Sequence, residues 1–153
     1  MSSKSWKLWI DGDGCPRIIV EIACKAALRR HFRIWMIANK HKNPPPPCEF
    51  HIVPTEPDAA DDFIAENVEP KDMVITGDIL LAERIIKRGG LAIDHRGHEF
   101  TEHDIASRVQ HRNLSEQLRD AGLIHGGPPP YGEKDKRAFA STFDRLLHVC
   151  LKG

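Results

Sequence analysis

Short apolar runs alternate with amphipathic stretches along the whole chain. Lys7-Leu-Trp-Ile10 reads as a buried strand that stops at Asp11-Gly-Asp-Gly14. Pro16 suits the first turn of a helix, where its missing N–H is no loss. Ile18, Ile19, Ile22, Ala23 and Ala26 then recur at helical spacing to about Arg30. Arg33–Ala38 is a second strand. The loop from Asn39 to Cys48 follows, and its Pro44 to Pro47 predict a stiff, polyproline-like connector. Phe50–Val53 is a third, shorter strand. Asp58–Val68 is helical, with Ala60, Phe63, Ile64 and Val68 as its apolar stripe. Met73–Thr76 is a fourth strand running into Gly77-Asp78, and a helix from about Ile79 stops at Gly89-Gly90. Leu91–Ile93 is a fifth strand. Thr101 and Asp104 resemble a capping box with Asp in place of Glu. Helices are expected over Asp104–His111, Leu114–Ala121 and Asp135–Leu151, the last with Phe139, Phe143, Leu146, Leu147 and Cys150 on one face.

Strands alternating with helices predict an α/β fold: a mostly parallel sheet of about five strands with helices on both faces. There is no internal repeat and no linker. The breaker-rich stretch Gly126–Gly132 is too short to separate a second domain, so residues 1–153 read as one domain. No apolar run is long enough to span a bilayer. Met1 to Trp6 lead into the first strand without an apolar signal region, so the expected location is the cytoplasm.

Charge changes the picture only locally. Lys+Arg and Asp+Glu both number 22, which gives no net charge with neutral histidines and argues against coating nucleic acid by bulk attraction. Cys15, Cys24, Cys48 and Cys150 are scattered without a CxxC, which argues against a zinc ribbon.

The candidate chemistry is acidic. In a parallel sheet, ligands bind beyond the carboxyl ends of the strands. Asp11 and Asp13 follow the first strand, and Asp78 follows the fourth. Asp58, Asp61 and Asp62, at i, i+3, i+4, share one face of a helix. Crowded carboxylates repel unless a cation or proton neutralises them, and oxygen donors suit Mg²⁺ or Mn²⁺. Each piece has a plain alternative. Asp13 or Asp78 can simply cap a helix, and Asp58, Asp61 and Asp62 can be solvated first-turn acids.

The string Ile10-Asp-Gly-Asp-Gly-Cys-Pro16 resembles the Asp-Ala-Asp-Ala-Cys-Pro opening of the YaiI/YqxD family. The resemblance continues through Ile37-Ala-Asn39, Asp58-Ala-Ala-Asp61, Asp72-Met-Val-Ile-Thr-Gly-Asp-Ile79 with Leu81-Ala82, and Arg96-Gly97. It ends with Arg112, Leu118-Arg119, Gly122, Gly126-Gly-Pro128, and Asp135 followed by Phe139. It implies a PIN-like nuclease fold with a Mg²⁺- or Mn²⁺-dependent, ribonuclease-type site, and nucleic acid, RNA foremost, as partner. Two departures stand out. Glycines replace the alanines between the acids, which is expected to loosen that turn, and the proline tetrad elaborates the loop after Asn39.

On that reading Asp11, Asp61 and Asp78 are the catalytic, metal-holding acids, with Asp13 and Asp58 as close or outer ligands. Asn39, Arg96, Arg112, Arg119 and Lys136, together with Arg137, are the candidates for gripping the substrate's backbone. For each of these cations a surface salt bridge is the plain alternative. Gly126-Gly127-Pro128 could bring bare backbone close. Cys15 beside the acids reads as a small packed residue rather than a nucleophile.

Two other readings compete. Asp-x-Asp after a strand, with Gly77-Asp78 and Glu83 downstream, is similar to haloacid-dehalogenase phosphatases, in which Asp11 would be the nucleophile and Asp13 the acid/base. Gly14-Cys15-Pro16 departs from that pattern, and no lysine motif precedes Asp78. The other reading is a metal-stabilised module that binds RNA or protein without cleaving it.

Overall fold

Strand β1 (Lys7–Asp11) sits inside the sheet because its sequence is apolar on both sides. Leu8 and Ile10 are fully buried in one core and Trp9 in the other. The sheet continues with β2 (Arg33–Ala38), β3 (Glu49–Ile52), β4 (Met73–Ile75), β5 (Leu91–Ile93) and β6 (Glu99–Phe100), in the order β3-β2-β1-β4-β5-β6. All neighbours run parallel except β5 and β6. Helices α1 (Arg17–Arg30) and α5 (Glu133–Lys152) cover one face, closing over Ile19, Val20, Ala23, Phe139, Phe143 and Leu146. Helices α2 (Ala59–Asn67), α3 (Ile79–Lys87) and α4 (Ile105–Asp120) cover the other, closing over Ile64, Leu81, Ala82, Ile85 and Ile105. This computed structural model describes residues 6–127 and 129–152. Over them the chain is one α/β domain, compatible with the PIN-like fold that the resemblance implies. The expected lead-in at Met1–Ser5 and Pro128 of the Gly-Gly-Pro turn lie outside the described residues.

The elements depart from expectation in a few places. β6 is a sixth strand, antiparallel to β5, and its two residues are too few to carry an alternation pattern. The two helices expected over 104–121 are one. Asn113 favours neither continuation nor a stop strongly enough to break α4, and an Arg112–Glu116 ion pair of 2.9 Å spans the expected break. Pro16 stands one position earlier than expected, before α1 rather than in it, and its carbonyl accepts the N–H groups of Ile19 and Val20. The proline tetrad does not run straight, because Cys48 N–H turns back to Pro45 O at 3.1 Å. The Thr101–Asp104 box does form: the Asp104 carboxylate accepts Thr101 N–H at 2.9 Å, and Thr101 Oγ1 accepts Asp104 N–H at 3.2 Å.

Opposite the strand ends that matter below, Asp72 is 4% exposed yet fully engaged. Its carboxylate accepts Lys7 N–H at 2.9 Å, Trp9 Nε1–H at 3.0 Å and Glu69 N–H at 3.0 Å. These bonds satisfy a buried charge and pin β1 to the start of β4.

Candidate metal centre and substrate cleft

From β1 the sheet steps to β2 on one side and to β4 on the other, so the crevice beyond the β1 and β4 ends is the topological switch point. Asp11 closes β1, and Thr76-Gly77-Asp78 leave β4 beside it, with Ile10 paired to Ile75. Thr76, 2% exposed, ties the two ends together. Its hydroxyl donates to Asp11 Oδ2 at 2.8 Å and accepts Asp78 N–H at 3.0 Å. Asp78 does cap α3: its Oδ1 accepts Leu80 N–H at 2.9 Å and Leu81 N–H at 3.2 Å. Capping and membership of the site coincide, because the cap fixes one oxygen and leaves the carboxylate at the cleft wall.

Asp61 reaches the same place from the first turn of α2. It shares a hydrogen bond with Asp78 and feels the charges of Asp78, Asp11 and Asp58. Burial foremost, then that bond and those charges, hold its carboxyl up to about 7, so near neutrality the pair keeps a proton on Asp61. Burial likewise raises Asp11, with Thr76's hydrogen bond opposing and the Asp78 and Asp13 charges adding. Asp62, one residue further round the helix, turns away to pair with Arg84 at 2.8 Å. Asp58 precedes α2 in a left-handed conformation (φ 65°), a backbone that Asp tolerates better than most residues. Asp13 is not a helix cap; its Oδ2 accepts the backbone N–H of Asn39 at 2.9 Å, joining the β1 and β2 ends.

Of the glycines in this turn, Gly12 is closely held, while a Cβ at Gly14 would meet nothing within 4 Å. Gly12 N–H bonds to Ile37 O at 2.8 Å, and a Cβ there would come within 2.7 Å of Met36 Cγ. Two clefts meet at Asp11. One, of about 400 Å³, is lined by Asp11, Cys15, Thr76, Asp78, His95 and Arg112. The other, of about 300 Å³, is lined by Asp11, Asp13, Asn39, Glu56, Asp58 and Asp61. Asp11, Asp13, Asp58, Asp61 and Asp78 therefore border one depression made of two clefts that share Asp11, and Asp62 does not.

The predicted cations divide. Arg112 lines the first cleft from α4. Arg96 is committed to the fold, donating to Asp135 at 3.0 Å and to Pro129 O at 2.6 Å. Lys136 pairs with Glu133 at 3.7 Å, and Arg119 and Arg137 are exposed beyond the cleft walls. Gly126 and Gly127 are exposed and line neither cleft. Cys15 behaves as a packed residue: burial, helped by the Asp11 charge, pushes its thiol up to about 12, so it stays protonated.

Thr76, His95 and Glu56 escaped the sequence reading. Thr76 passed for an ordinary strand end. His95 follows β5, and its imidazole lies over Gly77, where a Cβ would come within 3.1 Å of its Cε1. Burial holds His95 below its usual range, so it is neutral at pH 7. The rule that found Asp11 and Asp78, reading outward from strand ends, also points to His95.

Among the described residues no three Asp, Glu, His or Cys side chains stand ready, as placed, to hold one ion together. The chemistry of the donors nevertheless fits Mg²⁺ or Mn²⁺: carboxylate oxygens only, in mutual repulsion, with a proton at Asp61 where a cation would do the same work.

The profile of the family described as "Uncharacterized BCR, YaiI/YqxD family" matches residues 9–149. The chain belongs to the YaiI/YqxD family. A UPF0178 protein of Pseudomonas aeruginosa (strain LESB58) is 44% identical over 143 residues, covering 92% of this chain and 89% of that protein. A UPF0178 protein of Pseudomonas entomophila (strain L48) is 42% identical over 149 residues, covering 96% and 99%. Every acid of the depression lies within the span that the YaiI/YqxD profile matches. Among solved structures, a homospermidine synthase of Legionella pneumophila in complex with NAD overlaps 82% of this chain and 36% of its own. Its TM-score of 0.46 and 15% identity are too slight to carry fold or chemistry across. Among the described residues no helix is long and apolar enough to cross a membrane.

Proposed function

We propose that the depression is a phosphodiester-hydrolysing site of nuclease type that works with Mg²⁺ or Mn²⁺ on nucleic acid, RNA foremost, in the cytoplasm. One observation carries the reading: acids from the β1 end, the β4 end and the first turn of α2 come together at the switch point, where two clefts share Asp11 and Arg112 lines one of them. Asp11, Asp61 and Asp78 would hold the ion, with Asp13 and Asp58 beside them. When bound, such an ion acidifies water and offsets the charge on phosphoryl oxygens.

The chain's own residues prepare the rest. Thr76 fixes the Asp11 carboxylate and the backbone entering Asp78 as one unit. Arg112 offers a guanidinium to phosphate oxygens, for which its fork geometry is suited. The ion pair it makes with Glu116 is half exposed and weak enough to exchange. Asp61 releases its proton where a cation replaces it.

The test incubates the purified protein with single-stranded RNA, single-stranded DNA and a phosphomonoester, with Mn²⁺ or with EDTA. The expected outcome is Mn²⁺-dependent backbone cleavage that falls at least about 100-fold in Asp11→Asn. Turnover of the monoester through a trapped aspartyl-phosphate would replace the proposal with the phosphatase reading. Tight RNA binding without turnover would replace it with the binding module.

A further inference from the structure

Behind the turn that carries Asp11 and Asp13 lies a third cavity of different character. It measures about 160 Å³ and is lined by Gly12, Cys15, Arg17, Lys42 and Asn43, with apolar walls from Val20 and Met36. That is about five times the ~30 Å³ a water molecule occupies, room for a tetrahedral oxyanion. Among the described residues no carboxylate lines it, whereas both clefts at Asp11 are walled by acids. Cys15 lines this cavity and the first cleft alike, so the two adjoin across one residue.

The electrostatics ask for such a place. A phosphate chain approaching Asp11, Asp13, Asp58 and Asp78 is repelled, and a molecule of zero net charge supplies no bulk attraction to offset this. Local cations must do so, and Arg112 is the cation in the acidic cleft itself. Lys42 has no ionic partner among the described residues and follows Lys40 and His41 in the same loop. Arg17 opens α1 and, among the described residues, pairs with Glu21 at 3.3 Å in an exposed i,i+4 pair of the kind that contributes little. We infer that this cavity is an anion subsite, in which Arg17 and Lys42 take a phosphate group of the substrate next to the one presented to the acids. The inference rests on the nucleic-acid reading for the identity of that substrate. The shared chemistry is the phosphate ester, from a polynucleotide or from a small phosphorylated molecule.

The experiment measures fluorescence polarisation of a labelled 12-nucleotide single-stranded RNA in EDTA, from 50 to 200 mM NaCl. The proteins are wild type, the Arg17→Ala/Lys42→Ala double variant, and Lys25→Ala, an exposed α1 cation outside the cavity. A urea midpoint checks that each variant is folded. The double variant is expected to bind about tenfold more weakly and to lose about 1.4 from the logarithmic salt slope, two contacts at ~0.7 each. Lys25→Ala is expected to match wild type. A double variant with wild-type affinity and slope overturns the subsite while leaving the nuclease reading standing. If wild type binds no RNA, inorganic pyrophosphate followed by amide NMR decides instead. Shifts at Gly12, Arg17 and Asn43 that vanish in the double variant keep the subsite for small phosphate esters and remove the polynucleotide. Unmoved amides overturn the subsite as well.

Discussion

Thr76 holds the two halves of the site in register with a single hydroxyl. It donates to Asp11 and accepts from Asp78 N–H in a position almost closed to water. Thr76→Val keeps the shape and removes both bonds, leaving the part-buried Asp78 N–H without this partner. It should cost about 1–3 kcal/mol in urea unfolding and lower Mn²⁺-dependent cleavage by about 10–100-fold, the usual penalty for losing a partner that orients a ligand. Thr76→Ser should recover most of both. If Val and Ser behaved alike, the hydroxyl would have no positioning role. Asp61 and Asp62 make a related point about what a sequence conveys at this scale. The two are adjacent and alike in pattern, yet one meets Asp78 and the other meets Arg84. Which one enters the site depends on how α2 is rotated against α3, and that rotation follows from packing rather than from the spacing of acids.

At the level of elements, α3 depends on Asp78 both as cap and as source of charge. Asp78→Asn retains a good cap and removes the charge beside Asp61. Asp78→Ala removes both and should cost about 1 kcal/mol through the lost cap. Without metal at pH 8, urea midpoints are expected in the order Asn at or above wild type, then Ala. An Asn variant clearly less stable than wild type would mean that repulsion with Asp61 is absent. The docking of α5 rests on Gly97. It has φ 90°, and a Cβ there would come within 2.5 Å of the Ala138 carbonyl carbon, while its own carbonyl accepts the Thr142 hydroxyl at 2.7 Å. Backbone cannot yield as a flexible side chain does, so Gly97→Ala should lose about 2–4 kcal/mol. Gly126→Ala, also at positive φ but facing open space, should lose only about 1 kcal/mol. Equal losses would show that only backbone conformation matters at Gly97. Most elements were legible because hydrophobic periodicity marks long, buried segments such as β2 and α1. Two features were not legible. β6 is too short to have a period, and α4 continues through Asn113 with the help of an ion pair that becomes visible only once a helix is assumed.

Across the whole molecule, charge is sorted around one turn: acids toward the switch point, Arg17 and Lys42 behind it. Strand ends made the acids legible. The cations were not, because Lys42 sits in an irregular loop whose path no local pattern fixes. The acid side has a consequence for stability. Asp61 titrates near 7 when folded and near 3.9 when unfolded, so between those values the folded chain holds a proton that the unfolded chain has lost. Stability must then fall as pH rises through about 4 to 7, with Asp11 shifted in the same direction. Because Asp61 keeps contact with solvent, the loss should be on the order of 1–2 kcal/mol rather than the full value of the shift. On the proposed metal reading, a divalent ion should reverse it. At pH 8, Mn²⁺ at one hundred times its Kd should add about 2.7 kcal/mol. At pH 5.5 it should add less, since the ion must first displace the Asp61 proton. Urea titrations in EDTA and in Mn²⁺ at both pH values measure this directly, and Asp61→Asn should flatten the pH dependence and shrink the Mn²⁺ gain. A gain equal at both pH values, or one unchanged in Asp61→Asn, would place the ion somewhere other than among these carboxylates.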